Sequence, residues 1–379
     1  MKITIDAKEF EKLVSVAAQA ISSKPMKPEY ECVYVEVTSD SGSPIMTVMG
    51  KDVGIAIKRA TDSIESMEDG AALIPAKTLE NYLKLMDGPV KMDVNANFLC
   101  TLKCGGKKAT ISCMDASDFN PDFQDLADGN LAVMDGKEFA SAVGSVAHCV
   151  NENDTGRMVL TGVCFAFDGE SGYCEAVGTD GLRLALARKK AETNETFKAL
   201  IPIGFAKLIS KIIGNSEQVN FRFGNGTVIV EDYTTAIEAA QLAGEYLDYT
   251  KLLTRNGKMQ GRVNAEEMAD AVKMAQIACQ SAQKNLIVLN FEDEGVMRVS
   301  SRSDKTESVT DVPFEFYGKM DGAQEIAFNA QYMLDALKAT SAYAGEADIM
   351  MNTPNSPAVV IPVNRDDYYQ LVLPVRRMA

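Results

Sequence analysis

The chain has 379 residues, 46% of them hydrophobic and 24% charged, a globular composition long enough for two or three domains. Its 38 Lys and Arg against 53 Asp and Glu give a formal net charge of −15, which excludes a generally basic nucleic-acid binder. One histidine, His148, and no tryptophan exclude any site that needs two imidazoles and argue against a zinc enzyme.

The opening MKITIDAKEF places charges where a signal peptide needs an apolar core. The eight cysteines, at 32, 100, 104, 113, 149, 164, 174 and 279, include no C-x-x-C pair. No apolar stretch approaches the roughly 20 residues that span a bilayer. A reduced, soluble, cytoplasmic protein with no membrane partner is therefore expected.

Laid against itself, the chain repeats. Asp6-Ala7-Lys8-Glu9-Phe10 recurs as Asp135-Gly136-Lys137-Glu138-Phe139 and, more loosely, as Asn264-Ala265-Glu266-Glu267-Met268, a step of 129 each time. Each start predicts a helix with Asp or Asn as N-cap. The apolar positions that follow stay in register: Phe10, Leu13, Val14, Ala17, Ile21; Phe139, Ala142, Val143, Val146, Val150; Met268, Ala271, Val272, Ala275, Cys279. That is the stripe of an amphipathic helix.

A second helix is predicted in each unit, within 73–85, 200–212 and 326–338, in which Lys84, Lys211 and Lys338 recur at a step of 127. Pro75 and Pro202 suit a first helical turn and Asn329 a cap. Between the helices the apolar period switches to two, predicting strands at 33–38, 98–104 with 108–114, 219–223 with 227–231, and 286–291 with 296–300. Gly105-Gly106, Gly224-Asn225-Gly226 and Glu294-Gly295 read as hairpin turns. Three units of two helices and many strands result, carrying net charges of −6, −4 and −5, so none is a basic module.

No catalytic constellation emerges. His148-Cys149 are neighbours on a predicted helix, where adjacent side chains diverge by roughly 100° and do not form a dyad. Cys100 and Cys104 share a strand face and read as small buried hydrophobes. The Gly-Gly-Lys-Lys run at 105–108 lacks the first glycine of a phosphate loop and is a hairpin tip. The stretch from Asn151 to Gly156 resembles the start of a calcium loop, but Gly162 stands where a bidentate Glu is required. No metal, cofactor or catalytic residue is expected.

Two segments are more specific: GTDGLRLALAR at 178–188 and the carboxyl end QLVLPVRRMA at 370–379. With NAQYMLDALKA at 329–339 and the threefold repeat, they make the whole chain resemble the bacterial DNA polymerase III beta subunits, the replicative sliding clamps. The resemblance implies an α+β fold of three similar clamp domains, 1–128, 129–257 and 258–379, each with two helices packed on two antiparallel sheets. It further implies a head-to-tail homodimer closed as a ring around duplex DNA. The implied function is processivity without enzymatic chemistry. The implied partners are DNA, encircled without regard to sequence, the polymerase III catalytic subunit, the clamp loader, and other polymerases and repair proteins that dock through short peptide motifs.

Site residues carry over on the same basis. The partner-peptide pocket matches Leu160, Thr179, Gly181, Leu182, Arg183, Leu184, Leu247, Lys251, Leu252, Tyr332, Leu373, Pro374, Val375 and Arg376, with Arg183 orienting the peptide's polar atoms. Lys24, Lys77 and Arg157 match positions near DNA. Lys84, Lys211 and Lys338 occupy one place in the three second helices, off the stripes of Leu79, Ala206 and Met333 and of Tyr82, Ile209 and Ala336, on the face that lines the hole in clamps. The dimer contact is expected between 107–114 of one chain and 277–279 with 301–308 of the other, Lys107 and Lys108 facing Asp304 and Glu307 around Ile111 and Ile277. Two competing readings are a repeat-built scaffold that never meets DNA and a hydrolase or transferase using a cleft between repeats.

Overall fold

Each predicted first helix begins at its expected cap. The carboxylate of Asp6 accepts the backbone N–H groups of Lys8 and Glu9 at 2.9 and 3.4 Å and opens helix α1, Ala7–Ala17. Asp135 accepts from Lys137 and Glu138 at 2.7 and 3.3 Å ahead of α3, Gly136–Val146. Asn264 accepts from Glu266 and Glu267, both at 3.0 Å, ahead of α5, Ala265–Cys279. A side-chain acceptor here satisfies helix donors that have no intrahelical partner, a contribution of about 1 kcal/mol each. The second helices are α2, Ala76–Leu83, α4, Ile203–Ile213, and α6, Ala330–Ser341. Asn329 caps α6 as expected, whereas Pro75 and Pro202 stand one residue ahead of the first turn, at the N-cap, with no side-chain bond.

This is a computed structural model of the chain, describing residues 1–379 apart from 23, 40–41, 155, 256, 280–284, 293–294, 318–323, 354 and 377–379. The predicted turn at Glu294-Gly295 thus lies partly outside the described residues. The other two hairpin tips are present. Gly105 has φ +56°, and Asn225 and Gly226 have φ +49° and +71°, the doubly left-handed pair that a two-residue antiparallel turn requires.

The chain divides into two compact units, Met1–Ala140 with Ala191–Leu242, and Ser141–Lys190 with Ala243–Ala379. In the first, a five-stranded sheet runs Ile64–Glu68, Lys2–Asp6, Pro89–Val94, Leu99–Cys104, Lys107–Ser112. An eight-stranded sheet runs from Asn130–Met134 through Val219–Gly224, Thr227–Glu231 and Thr235–Ala240 into Ile55–Thr61, Ile45–Asp52, Cys32–Thr38 and Gly70–Pro75. It joins two repeats at one antiparallel pairing, Ile237 opposite Ile57. The core of this unit packs Phe10, Leu13, Val14 and Ala17 of α1 and Leu79 and Leu83 of α2 against the inner faces of the strands. Beyond the last strand of the five-stranded sheet, the chain lies along the outer face of the larger one, where Phe119 stacks on Tyr34 at 5.1 Å.

The second unit repeats the scheme. Eight strands run Gly162–Asp168, Tyr173–Thr179, Arg183–Lys190, Tyr368–Val372, Ala358–Pro362, Glu346–Met351, Met259–Asn264 and Glu315–Phe316, and a four-stranded sheet runs Glu307–Pro313, Val296–Arg302, Leu286–Glu292, Gln324–Asn329. Here too one pairing joins two repeats, Arg183 opposite Val372 and Leu184 opposite Leu371. Helices α5 and α6 bury Met268, Val272, Ala275, Met333, Leu334 and Leu337 against the strands. All strand pairs described in both units are antiparallel.

Two sequence expectations change. Ile111 is buried, 4% exposed, in the core of the first unit. The outward positions of its strand are Lys108, Thr110 and Ser112, so Ile111 is not available to an apolar contact between chains. Tyr82, expected on the apolar stripe with Ile209 and Ala336, is 39% exposed near the end of the short helix α2, while Leu83 fills the core.

Candidate partner-binding groove

All fourteen residues expected to form the pocket fall in the second unit, around the junction of strands Tyr173–Thr179, Arg183–Lys190 and Tyr368–Val372. The turn between the first two is built by side chains on backbone. Thr179 donates its hydroxyl to the Arg183 carbonyl at 2.6 Å and accepts the Gly181 N–H at 3.0 Å. Asp180 accepts the N–H groups of Leu182 and Arg183 at 2.8 and 3.0 Å. Gly181 has φ +87°, a left-handed conformation that favours glycine, and the Arg157 guanidinium lies over it, 2.4 Å from where a Cβ would stand. The result is a rigid turn that leaves Leu182 52% exposed.

Opposite this turn the carboxyl-terminal segment is held by two main-chain bonds, Leu373 N–H to the Leu182 carbonyl at 2.9 Å and Val375 N–H to the Ala327 carbonyl at 2.8 Å. Leu373, Pro374 and Val375 are half-buried and Arg376 is exposed. The segment carrying Leu247, Lys251 and Leu252 is fastened to the same strands by three tyrosines. Tyr246 donates to the Val177 carbonyl at 3.3 Å, Tyr249 to Glu175 at 2.8 Å, and Tyr369 to the carbonyls of Leu252 and Thr254 at 2.9 and 3.1 Å. Burial pushes the Tyr249 phenol far above its ordinary range, so it stays a neutral donor. Leu252 is 40% exposed, while Leu160 and Leu184 are buried beneath.

Arg183 is held by neighbours within its own chain. Its Nε donates to Asp180 at 3.0 Å and its Nη1 to Asp335 of α6 at 2.7 Å. Its guanidinium lies 4.2 Å from the centre of the Tyr332 ring. With the side chain 13% exposed, the guanidinium is already committed to these partners. Sequence reasoning missed Asp180 and Asp335, although T-D-G-L-R and the Tyr332-to-Asp335 spacing carried the signal: residues three apart share a helix face. Lys251 is also committed, to Asp248 at 2.9 Å. The Thr250 hydroxyl and Lys251 hold the Asp248 carboxyl down at about 2.

Below the groove His148 faces the Gln370 carboxamide oxygen at 3.1 Å, and Gln370, fully buried, donates to the Ala336 carbonyl and to Thr340 at 2.8 and 2.9 Å. Burial, then the nearby Arg183 charge, lowers the His148 pKa. Burial raises that of the Cys149 thiol well beyond its ordinary value. A neutral imidazole bonded to an amide, beside a thiol kept protonated, is a structural pair.

The cationic residues expected near DNA are placed as follows. Lys24, Lys77, Lys211 and Lys338 are exposed. Lys84 is exposed but pairs with Glu80 at 2.6 Å. Arg157 is bound to its own surroundings, to Asp154 and to the Asp180 carbonyl, both at 2.8 Å. Among the described residues no group of three His, Cys, Asp or Glu side chains is placed to hold a metal, and no helix is long and apolar enough to cross a membrane.

Models of the three domains of the DNA polymerase III beta subunit match the chain in order: the N-terminal domain over residues 1–123, the central domain over 133–248 and the C-terminal domain over 250–376. The beta sliding clamp of Staphylococcus aureus is 25% identical over 377 residues, covering 99% of this chain and 91% of that one. Among solved structures, the sliding clamp of Bacillus subtilis superimposes with a TM-score of 0.90 at 21% identity. The beta subunit of the Streptococcus pyogenes polymerase gives 0.90 at 20%. Both cover the whole of each chain. Matched domain by domain along almost its entire length, the chain belongs to the DNA polymerase III beta subunit family, the DNA sliding clamps that make polymerases processive.

Proposed function

We propose that two copies of this chain close head to tail around duplex DNA in the cytoplasm. In this reading the three repeats, 1–128, 129–257 and 258–379, are the clamp domains, and the groove of the second unit takes short peptide motifs from the polymerase III catalytic subunit, the clamp loader, and other polymerases and repair proteins. The observation that carries the peptide reading is the pair of exposed leucines, 182 and 252, beside half-buried Leu247, Tyr332, Leu373, Pro374 and Val375 on a rim fixed by hydrogen bonds. A preformed apolar surface is how a short peptide is bound without a large ordering cost.

Lys24, Lys77, Lys84, Lys211 and Lys338 are assigned to the DNA-facing surface, with Arg157 at its edge because its guanidinium is already committed. For the contact between copies, strand Lys107–Ser112 and strand Glu307–Pro313 each lie at the edge of their sheet among the described residues, and unpaired edges invite a partner strand. Exposed Met274, Ile277 and Val309 flank one edge, and exposed Tyr82 and Leu85 the other. Leu85 therefore replaces Ile111 as the apolar counterpart of Ile277. Lys107 donates to the Leu85 carbonyl in its own chain, which leaves Lys108 to face Asp304 or Glu307.

The test of the groove is calorimetry with a peptide that carries a glutamine, a leucine and a terminal Leu-Phe pair. Burying two apolar side chains contributes roughly 1.5 to 3 kcal/mol each before ordering costs, which suits a micromolar contact. Leu182→Ser with Leu252→Ser, or deletion from Val375 onward, should weaken binding at least tenfold without changing the assembly mass. Undiminished affinity in both variants would show that the motif docks elsewhere. Leu184→Ser is a poor probe because Leu184 is 2% exposed, and emptying a packed position costs fold stability as well.

A further inference from the structure

The Arg183 guanidinium sits between two carboxylates contributed by different elements. Asp180 belongs to the turn that presents Leu182, whereas Asp335 lies 152 residues after Arg183, on α6. Asp335 is itself oriented, its second oxygen accepting from the Gln331 carboxamide at 2.7 Å. Side chains at all three positions are largely removed from water, with exposures of 13% for Arg183, 11% for Asp180 and 21% for Asp335. In such surroundings a charge-assisted bond is shorter and stronger than a neutral one, and losing one partner leaves the others badly solvated.

We propose that Asp335 is a positioning residue of the peptide groove: by holding Arg183 against Asp180 and over the Tyr332 ring, it locks the turn 180–183 to α6 and withholds the guanidinium from the bound peptide. The inference rests on the groove being the peptide site. Two walls depend on this one link. The turn carries Leu182 and, through the Leu182 carbonyl, receives Leu373, while Tyr332 presents the ring that packs beside the guanidinium. An aspartate at 335 reaches Arg183 from one turn beyond Tyr332, so the same helix that supplies the ring supplies the carboxylate that fixes it. The polar part of a partner motif then meets backbone groups and the outer rim, and Arg183 acts as surface.

The experiment pairs peptide calorimetry with the ¹⁵N–¹H signal of the Arg183 side-chain Nε, identified by its disappearance in Arg183→Lys. In the wild-type protein the Nε–H should be protected from exchange and its shift should move little on saturation with peptide. Asp335→Asn should raise the peptide Kd at least fivefold and speed Nε–H exchange, and Asp335→Glu should recover part of both. A large peptide-induced change at Nε in the wild type, as from a new direct bond, would overturn the proposal whatever the variants do. So would wild-type affinity and exchange in Asp335→Asn when Leu182→Ser with Leu252→Ser has lost binding. Equal binding by the wild type and that leucine variant would instead remove the groove reading, and this inference with it.

Discussion

His148 is the only histidine in the chain, and its surroundings fix the sign of its pH dependence. Burial and the Arg183 charge disfavour the protonated ring, and they outweigh the opposing Asp335, Gln370 and Asp180. The folded pKa is therefore below the unfolded value of about 6.5. Between the two values the unfolded chain binds the proton and the folded one does not, so stability rises with pH across that window. The contribution is fully present above about pH 6.5 and is lost as pH falls toward the folded pKa. We expect one imidazole resonance titrating with a midpoint below 6.5, and a shallower loss of thermal stability on acidification in His148→Gln. A midpoint at or above 6.5 would contradict the burial argument. At this scale the sequence indicated what His148 and Cys149 are not. Gln370, the residue that makes the histidine structural, is 222 positions away, and no local pattern connects them.

Periodicity made the elements legible and the joins between them obscure. The caps Asp6, Asp135, Asn264 and Asn329 each act where the sequence places them, because a cap and the helix it serves lie within four residues. The sheets that run from repeat to repeat were not legible, since Ile237 meets Ile57 and Arg183 meets Val372 only once the chain has folded. Close helix–strand approach was also hidden: a Cβ at Gly50 would lie 2.0 Å from the Ala17 carbonyl oxygen, and one at Gly178 would lie 2.6 Å from that of Val146. Both glycines let a strand pass under the end of a first helix, 128 residues apart. Gly50→Ala should cost about 1 to 3 kcal/mol, the usual range for overpacking, read as a lowered denaturation midpoint with unchanged slope. The second helices support a different experiment. Lys84, Lys211 and Lys338 lie off the faces buried by Leu79 and Leu83, by Ala206 and Ile209, and by Met333 and Leu337. Replacing all three with Glu should leave fold and assembly intact and impair loading onto circular DNA; loss of the assembly itself would place these lysines at a contact between chains. Lys84→Glu alone sets like charges beside Glu80 one turn away, a cost of a few tenths of a kcal/mol, so the single variant is the control for local destabilisation.

A chain of net charge −15 that works on DNA requires its attraction to be local. With a screening length of roughly 8 Å at physiological ionic strength, only cations near the duplex act on it strongly, and acids on outward surfaces are screened. A ring holds DNA by topology, so weak contacts favour sliding. That makes closure the property on which function depends. The proposed contact sets one edge strand, with Lys108, Thr110 and Ser112 outward, against another, with Glu307, Val309 and Asp311 outward. A strand pair supplies main-chain hydrogen bonds, but direction and register come from side chains. The apolar group of Leu85 with Ile277, Met274 and Val309 supplies the part least weakened by salt. Two such contacts are needed to close a ring of two chains, and each uses different surfaces on the two partners. The expected mass in solution is about 82 kDa, twice the 41.0 kDa of one chain. Ile277→Asp buries a carboxylate within the apolar group at both contacts and should shift the mass toward 41.0 kDa, with helix content unchanged because Ile277 is 64% exposed in the single chain. Raising salt should weaken the pairing of Lys108 with the acids yet leave the wild-type dimer largely intact. A monomeric wild type at micromolar concentration would remove the ring. A dimer untouched by Ile277→Asp would keep the ring possible and place its contact on other strands.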